Sequence, residues 1–162
     1  MNLTITLIAV LMIVLAIVPF LLINRKKKKA EEQFLQSFLN MAKKNNNDIT
    51  SYDLWNKSAI GLDKKNHKLF YCKKSAENLL ALEIDLSEIQ KCQVVNSNRS
   101  VVSQTVIDKI SLVLVNRDKS KPETMIEFYN NDIDSLNLNG EVQLTEKWHK
   151  IINADLAEIK KK

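Results

Sequence analysis

The side chains able to do chemistry are few and widely spaced. Cys72, Cys92, His67 and His149 are the only cysteines and histidines in this chain of 162 residues. A structural zinc site usually takes its ligands as close pairs such as C-x₂₋₄-C. No such pair occurs, so no metal site is expected. Asp53, Asp63, Glu83, Asp85 and Glu88 have the chemistry of general acids and bases. Scattered acids among alternating apolar residues, however, mark the solvated face of a sheet. Serines and aspartates for a nucleophilic triad are present, but a nucleophile-elbow motif is not. Glycine occurs twice, at Gly61 and Gly140. No glycine-rich phosphate loop can be built from that. The expectation is no catalytic residue, no cofactor and no enzymatic activity.

Charge is more informative. Arg25, Lys26, Lys27, Lys28 and Lys29 directly follow the apolar run Leu3–Ile23. Roughly 21 helical residues span about 31 Å, close to the ~30 Å hydrocarbon core of a bilayer. The pattern predicts a transmembrane helix over residues 1–24. A cleaved signal would carry its positive charge ahead of a shorter apolar core. Positive charge stays on the cytoplasmic side. The expected placement is therefore a single pass through the cell inner membrane, N-terminus outside and C-terminal domain cytoplasmic, with residues 25–29 on anionic headgroups. These five supply the whole net charge of +5, since the other 19 basic residues balance 19 acidic ones. A nucleic-acid binder carries its basic face on the domain itself, so no nucleic-acid partner is expected. In a reducing compartment the two cysteines are expected as free, small apolar fillers.

The elements that must position these residues follow from apolar spacing. Over 30–45, Phe34, Leu35, Phe38, Leu39, Met41 and Ala42 recur at three- and four-residue steps, an amphipathic helix. It either lies on lipid or packs on the domain that follows. Asn45–Asp48 is turn chemistry. Strand-like segments come next: 50–57, 59–63, 69–73, 79–85, 91–95, 107–117 and 125–129. Leu86–Ile89 reads as one helical turn, and 96–105 as a polar loop. Leu144, Trp148, Ile151, Ile152, Leu156 and Ile159 form the stripe of a closing helix over about 142–159. Three regions follow: 1–24 transmembrane helix, 25–47 basic stop and juxtamembrane helix, and 48–162 β domain.

Consecutive strands with short connections pair as antiparallel hairpins, and the last helix covers the sheet. Ala59-Ile60-Gly61-Leu62-Asp63 with Lys68-Leu69-Phe70-Tyr71 forms a first hairpin, Ile84-Asp85-Leu86-Ser87-Glu88-Ile89 a strand and bend, and the Trp148 helix a cap. Residues 48–159 thereby resemble bacterial pleckstrin-homology-like (PH-like) domains. The resemblance implies a mainly β (α+β) fold: a seven-stranded antiparallel barrel capped by a C-terminal α-helix. Lys57, Lys64, Lys65, Lys68, Lys73 and Lys74 match the basic first hairpins of phosphoinositide-binding members, but no arginine accompanies them, so that activity is not carried over.

The expected function is a membrane-anchored interaction or scaffold domain for a protein or peptide partner, received at an open sheet edge. The alternative is an anionic-lipid-binding domain, with Lys64, Lys65, Lys73 and Lys74 as a second lipid contact. A tethered enzyme ranks third.

Overall fold

The computed structural model describes residues 3–75, 78–101, 104–134, 138 and 140–161. Residues 1–41 and 42–162 are two compact units. Helix α1 runs Leu3–Lys44 without interruption. It passes through Pro19 and through the basic cluster, whose five side chains are exposed. Its end is a Schellman motif: Asn46 takes φ 57°, Asn46 N–H bonds the Lys43 carbonyl, and Asn47 N–H reaches the Ala42 carbonyl at 3.1 Å. The stripe expected over 30–45 is largely withdrawn from solvent, with Phe38 and Ala42 fully buried.

The membrane reading is corrected here. Among the described residues no helix is long and apolar enough to cross a membrane. The transmembrane anchor over 1–24, the juxtamembrane role for 25–47 and the single-pass inner-membrane placement are therefore not supported. The apolar run is no separate element, because nothing ends the helix at Arg25. Within 1–24, side chains are described only for Met12, Ile13, Leu15 and Ile17, so most of the anchor lies outside the described side chains.

The second unit holds seven strands and a closing helix. The strands are β1 (Ser51–Trp55), β2 (Ser58–Asp63), β3 (Lys68–Lys74), β4 (Leu79–Asp85), β5 (Ile89–Val101), β6 (Gln104–Asn116) and β7 (Thr124–Asn130), and α2 is Glu141–Ile159. They form two antiparallel sheets, β1-β2-β3-β4 and β5-β6-β7. The sheets do not close, which corrects the expected barrel. The cause is at the β4–β5 junction. Asp85 caps a 3₁₀ turn, Leu86–Glu88, by accepting from Ser87 N–H. That corner carries the chain out of the first sheet, and β5 pairs with β6 alone.

The polar loop expected over 96–105 is also corrected. β5 and β6 continue as a ribbon that pairs as far as Val101 and Gln104. Asn96, Ser97 and Asn98 are exposed. Where successive side chains are all exposed, as at 96–98, a strand carries no alternation to read.

Hairpin chemistry here works with little glycine. The β1–β2 turn is Asn56-Lys57, with φ 37° and 60°. Positive φ at both positions is what a two-residue hairpin of this hand requires. In the β2–β3 turn the left-handed residue is His67, at φ 54°, and the loop is fastened by Asp63. Its carboxylate accepts from the N–H groups of Asp48, Lys65 and Asn66 and from Asn66 Nδ2, at 2.8, 2.9, 3.0 and 2.8 Å. Burial acts to raise this carboxyl, and the four hydrogen bonds outweigh it and hold it below the usual carboxylate range.

The two sheets meet through aromatic side chains. The β6–β7 register slips between Ile110 and Ser111, leaving Phe128 as the extra residue of a bulge. Trp55 stacks on Phe128 at 4.5 Å between ring centroids. Its indole N–H donates to the Phe128 carbonyl at 2.9 Å. Tyr71 O–H donates to the neighbouring Glu127 carbonyl at 2.9 Å. α2 packs chiefly against β5 and β6. Trp148 is fully buried, and its indole N–H donates to Asp53 Oδ2 at 2.8 Å.

Candidate functional site

The backbone of the first sheet has a legible polarity. Leu86 N–H donates to the His67 carbonyl and Ser75 N–H to the Asn78 carbonyl. These two bonds bracket the β3–β4 ladder, whose register is unbroken from Lys68↔Asp85 to Lys74↔Leu79. Hydrogen-bonded pairs alternate in an antiparallel ladder. The bonded pairs are therefore Leu69↔Ile84, Tyr71↔Leu82 and Lys73↔Leu80. Lys74 N–H bonded to the Lys57 carbonyl gives the same phase from the other side of β3. It follows that Leu79, Ala81 and Glu83 turn their amides and carbonyls away from the sheet, and β4 is an outer strand. Among the described residues no group bonds those outward amides and carbonyls.

The other outer strands are better covered. On β5, Asn153 of α2 meets both outward groups of Cys92, accepting from its N–H at 3.4 Å and donating to its carbonyl at 3.1 Å. On β7, Trp55 and Tyr71 occupy two carbonyls. β1 is five residues long, and α2 holds its Asp53 through Lys147 and Trp148. Folded proteins protect sheet edges with charge, proline, short length or a covering element. β4 has seven residues and exposes Leu79 at 58 % and Leu80 at 50 %.

A cleft of about 600 Å³ opens at the Leu79 end of β4. Asn56, Lys57, Lys73, Lys74, Leu80 and Ile133 are among its lining residues. Lys73 is committed to Glu127 at 2.6 Å, and Glu127 also accepts from Asn130 Nδ2 at 2.9 Å. Lys57 and Lys74 have no ion pair among the described residues. Lys57 is held at φ 60°, which costs a side chain about 1–2 kcal/mol, as it does for His67 at φ 54° in the next turn.

The residues singled out in the sequence fall in several places. Lys64 and Lys65 lie in the β2–β3 turn, and Lys73 and Lys74 at the opposite end of the same hairpin. At ~3.3 Å per residue the two pairs are about 20 Å apart and do not form one patch. Lys64 pairs with Glu158 at 3.0 Å, both side chains about half exposed. Asp85 caps the 3₁₀ turn and pairs with Lys68 at 2.8 Å. His67 meets Asp155 of α2 at 2.9 Å. Cys72 and Cys92 are free and buried. Burial pushes the Cys72 thiol up and the Cys92 thiol to about 12, so neither is a ready nucleophile at neutral pH. Sequence reasoning missed the outward phase of β4 and the cleft, whose walls come from three separate connections. The exposed Leu79-Leu80 pair was the available signal.

The chain matches no protein-family model, no curated protein and no solved structure.

Proposed function

We propose that this protein is a non-catalytic interaction domain that receives an extended peptide along β4. The observation that carries the reading is the outer edge of that strand: unmade backbone bonds at Leu79, Ala81 and Glu83 beside two exposed leucines. An added strand supplies the missing main-chain bonds and covers apolar surface, which is how strand-addition domains gain affinity. The buried, unreactive thiols and the carboxylates engaged as turn and cap groups favour binding over chemistry. Two sheets followed by a C-terminal helix fit the PH-like resemblance of the sequence, and that kinship belongs to the proposal.

The test is to pan a phage-displayed random-peptide library on the full chain and on its Ala81→Pro variant. Ala81 points its N–H outward, so proline there removes an edge donor and leaves the β3–β4 ladder intact. Peptides captured by the wild type and lost from a folded Ala81→Pro protein support strand addition. Equal capture by both would refute it.

A further inference from the structure

We infer that the peptide taken by β4 is acidic at its C-terminal end, its carboxylates seated between Lys57 and Lys74. This inference rests on the strand-addition reading and adds the chemistry and direction of the partner. The occupant is selected by charge along the edge. At the Leu79 end, Lys57 and Lys74 line the cleft without an ion pair among the described residues, beside Leu80 and Ile133. Of the two acids in the same lining, Glu127 is paired with Lys73 and Asp134 accepts from the Asn130 N–H, so the lysines leave the cleft with an excess of positive charge. Towards the other end stands Glu83, whose carboxylate accepts from the Asn45 amide at 2.6 Å and lies within electrostatic reach of Lys68, itself paired with Asp85. The edge thus runs from positive to negative in the direction of β4. An antiparallel partner, the slightly more stable pairing, brings its C-terminal end to the lysines. Apolar side chains next to the acid would meet Leu80 and Ile133, which are 50 % and 68 % exposed.

The experiment sequences the captured phage pool and then measures one enriched peptide by fluorescence anisotropy against the wild type, Lys57→Gly, Lys74→Gln and the double variant. Lys57→Gly suits the native turn, so loss of binding there cannot be ascribed to misfolding. Expected are acidic residues enriched at the C-terminal end of the pool and affinity that falls with added salt. The double variant should weaken the acidic peptide about fivefold or more, while a glutamine analogue of the peptide binds all four proteins equally. A pool without acidic bias, or unchanged affinity in the double variant, overturns the inference. The two readings fail separately. Binding that survives Ala81→Pro refutes strand addition. Binding lost in Ala81→Pro but indifferent to both lysines refutes only the acidic partner. A protein that captures no peptide, or that forms a dimer dissolved by Ala81→Pro, refutes the peptide occupant altogether.

Discussion

Replacing His67 by glycine tests how the β2–β3 turn is fastened to α2. Its Nδ1 lies 2.9 Å from Asp155 Oδ2, with side-chain exposures of 17 % and 2 %. Among the described residues no other group bonds the Asp155 carboxylate, and its buried Oδ1 has no partner. Removing one member of a buried pair costs about 3–5 kcal/mol, because the Asp155 carboxyl is left buried without its partner. His67 also sits at φ 54°, and glycine recovers about 1–2 kcal/mol of that backbone strain. His67→Gly is therefore expected to destabilise the protein by about 2–3 kcal/mol net. The assay is equilibrium urea unfolding, read at constant m-value. The double variant His67→Gly/Asp155→Leu removes the buried carboxyl as well. It should be more stable than the sum of the single changes by about 2 kcal/mol. A His67→Gly cost under about 0.5 kcal/mol, or strict additivity in the double variant, refutes the reasoning. The neighbouring Lys64–Glu158 pair is an internal control. Its side chains are 59 % and 48 % exposed, and Lys64→Ala should cost less than about 0.5 kcal/mol.

Three further outcomes follow from the same geometry. Asp63→Ala leaves three backbone N–H groups and the Asn66 amide without their acceptor and should cost about 2–3 kcal/mol in urea unfolding. Because the folded Asp63 carboxyl lies below its unfolded value, its contribution is complete above about pH 4 and is lost as pH falls through the lower folded value. The stability–pH curve of Asp63→Asn should accordingly be flatter than that of the wild type on the acid side. Lys57→Gly should raise stability by about 1 kcal/mol by relieving the left-handed turn, seen as a higher urea midpoint. Cys72 and Cys92 should resist an aromatic disulfide reagent at neutral pH and react fully once unfolded. Rapid reaction of either thiol in the folded protein would contradict its burial.

Much of the second unit was legible in local sequence. Apolar runs located β2, β3, β4, β6 and β7 to within a few residues. Leu86-Ser87-Glu88-Ile89 read as one helical turn, where the structure has a 3₁₀ turn over Leu86–Glu88. The stripe from Leu144 to Ile159 gave α2. What local pattern cannot carry is pairing. The helical turn is readable from adjacent residues, yet the corner it makes, capped by Asp85, carries β5 out of the first sheet in place of the expected closed barrel. Residues 96–98 offered no period because their side chains are all exposed. The anchor expected over 1–24 came from counting apolar residues up to the first charge, whereas a helix ends where its backbone is capped, here at Asn46. The candidate site was the least legible part. Lys57, Lys74 and Ile133 belong to separate connections, and the outward phase of Leu79, Ala81 and Glu83 is set by β3.

The most direct measurement is amide hydrogen exchange along β4, resolved by NMR, in the free protein and with a captured peptide. The account predicts fast exchange at Leu79, Ala81 and Glu83 in the free protein, slow exchange at Leu80, Leu82 and Ile84, and new protection of the first three on binding. Protection of Leu79, Ala81 and Glu83 already present in the free protein, or binding that leaves them fast, would contradict it.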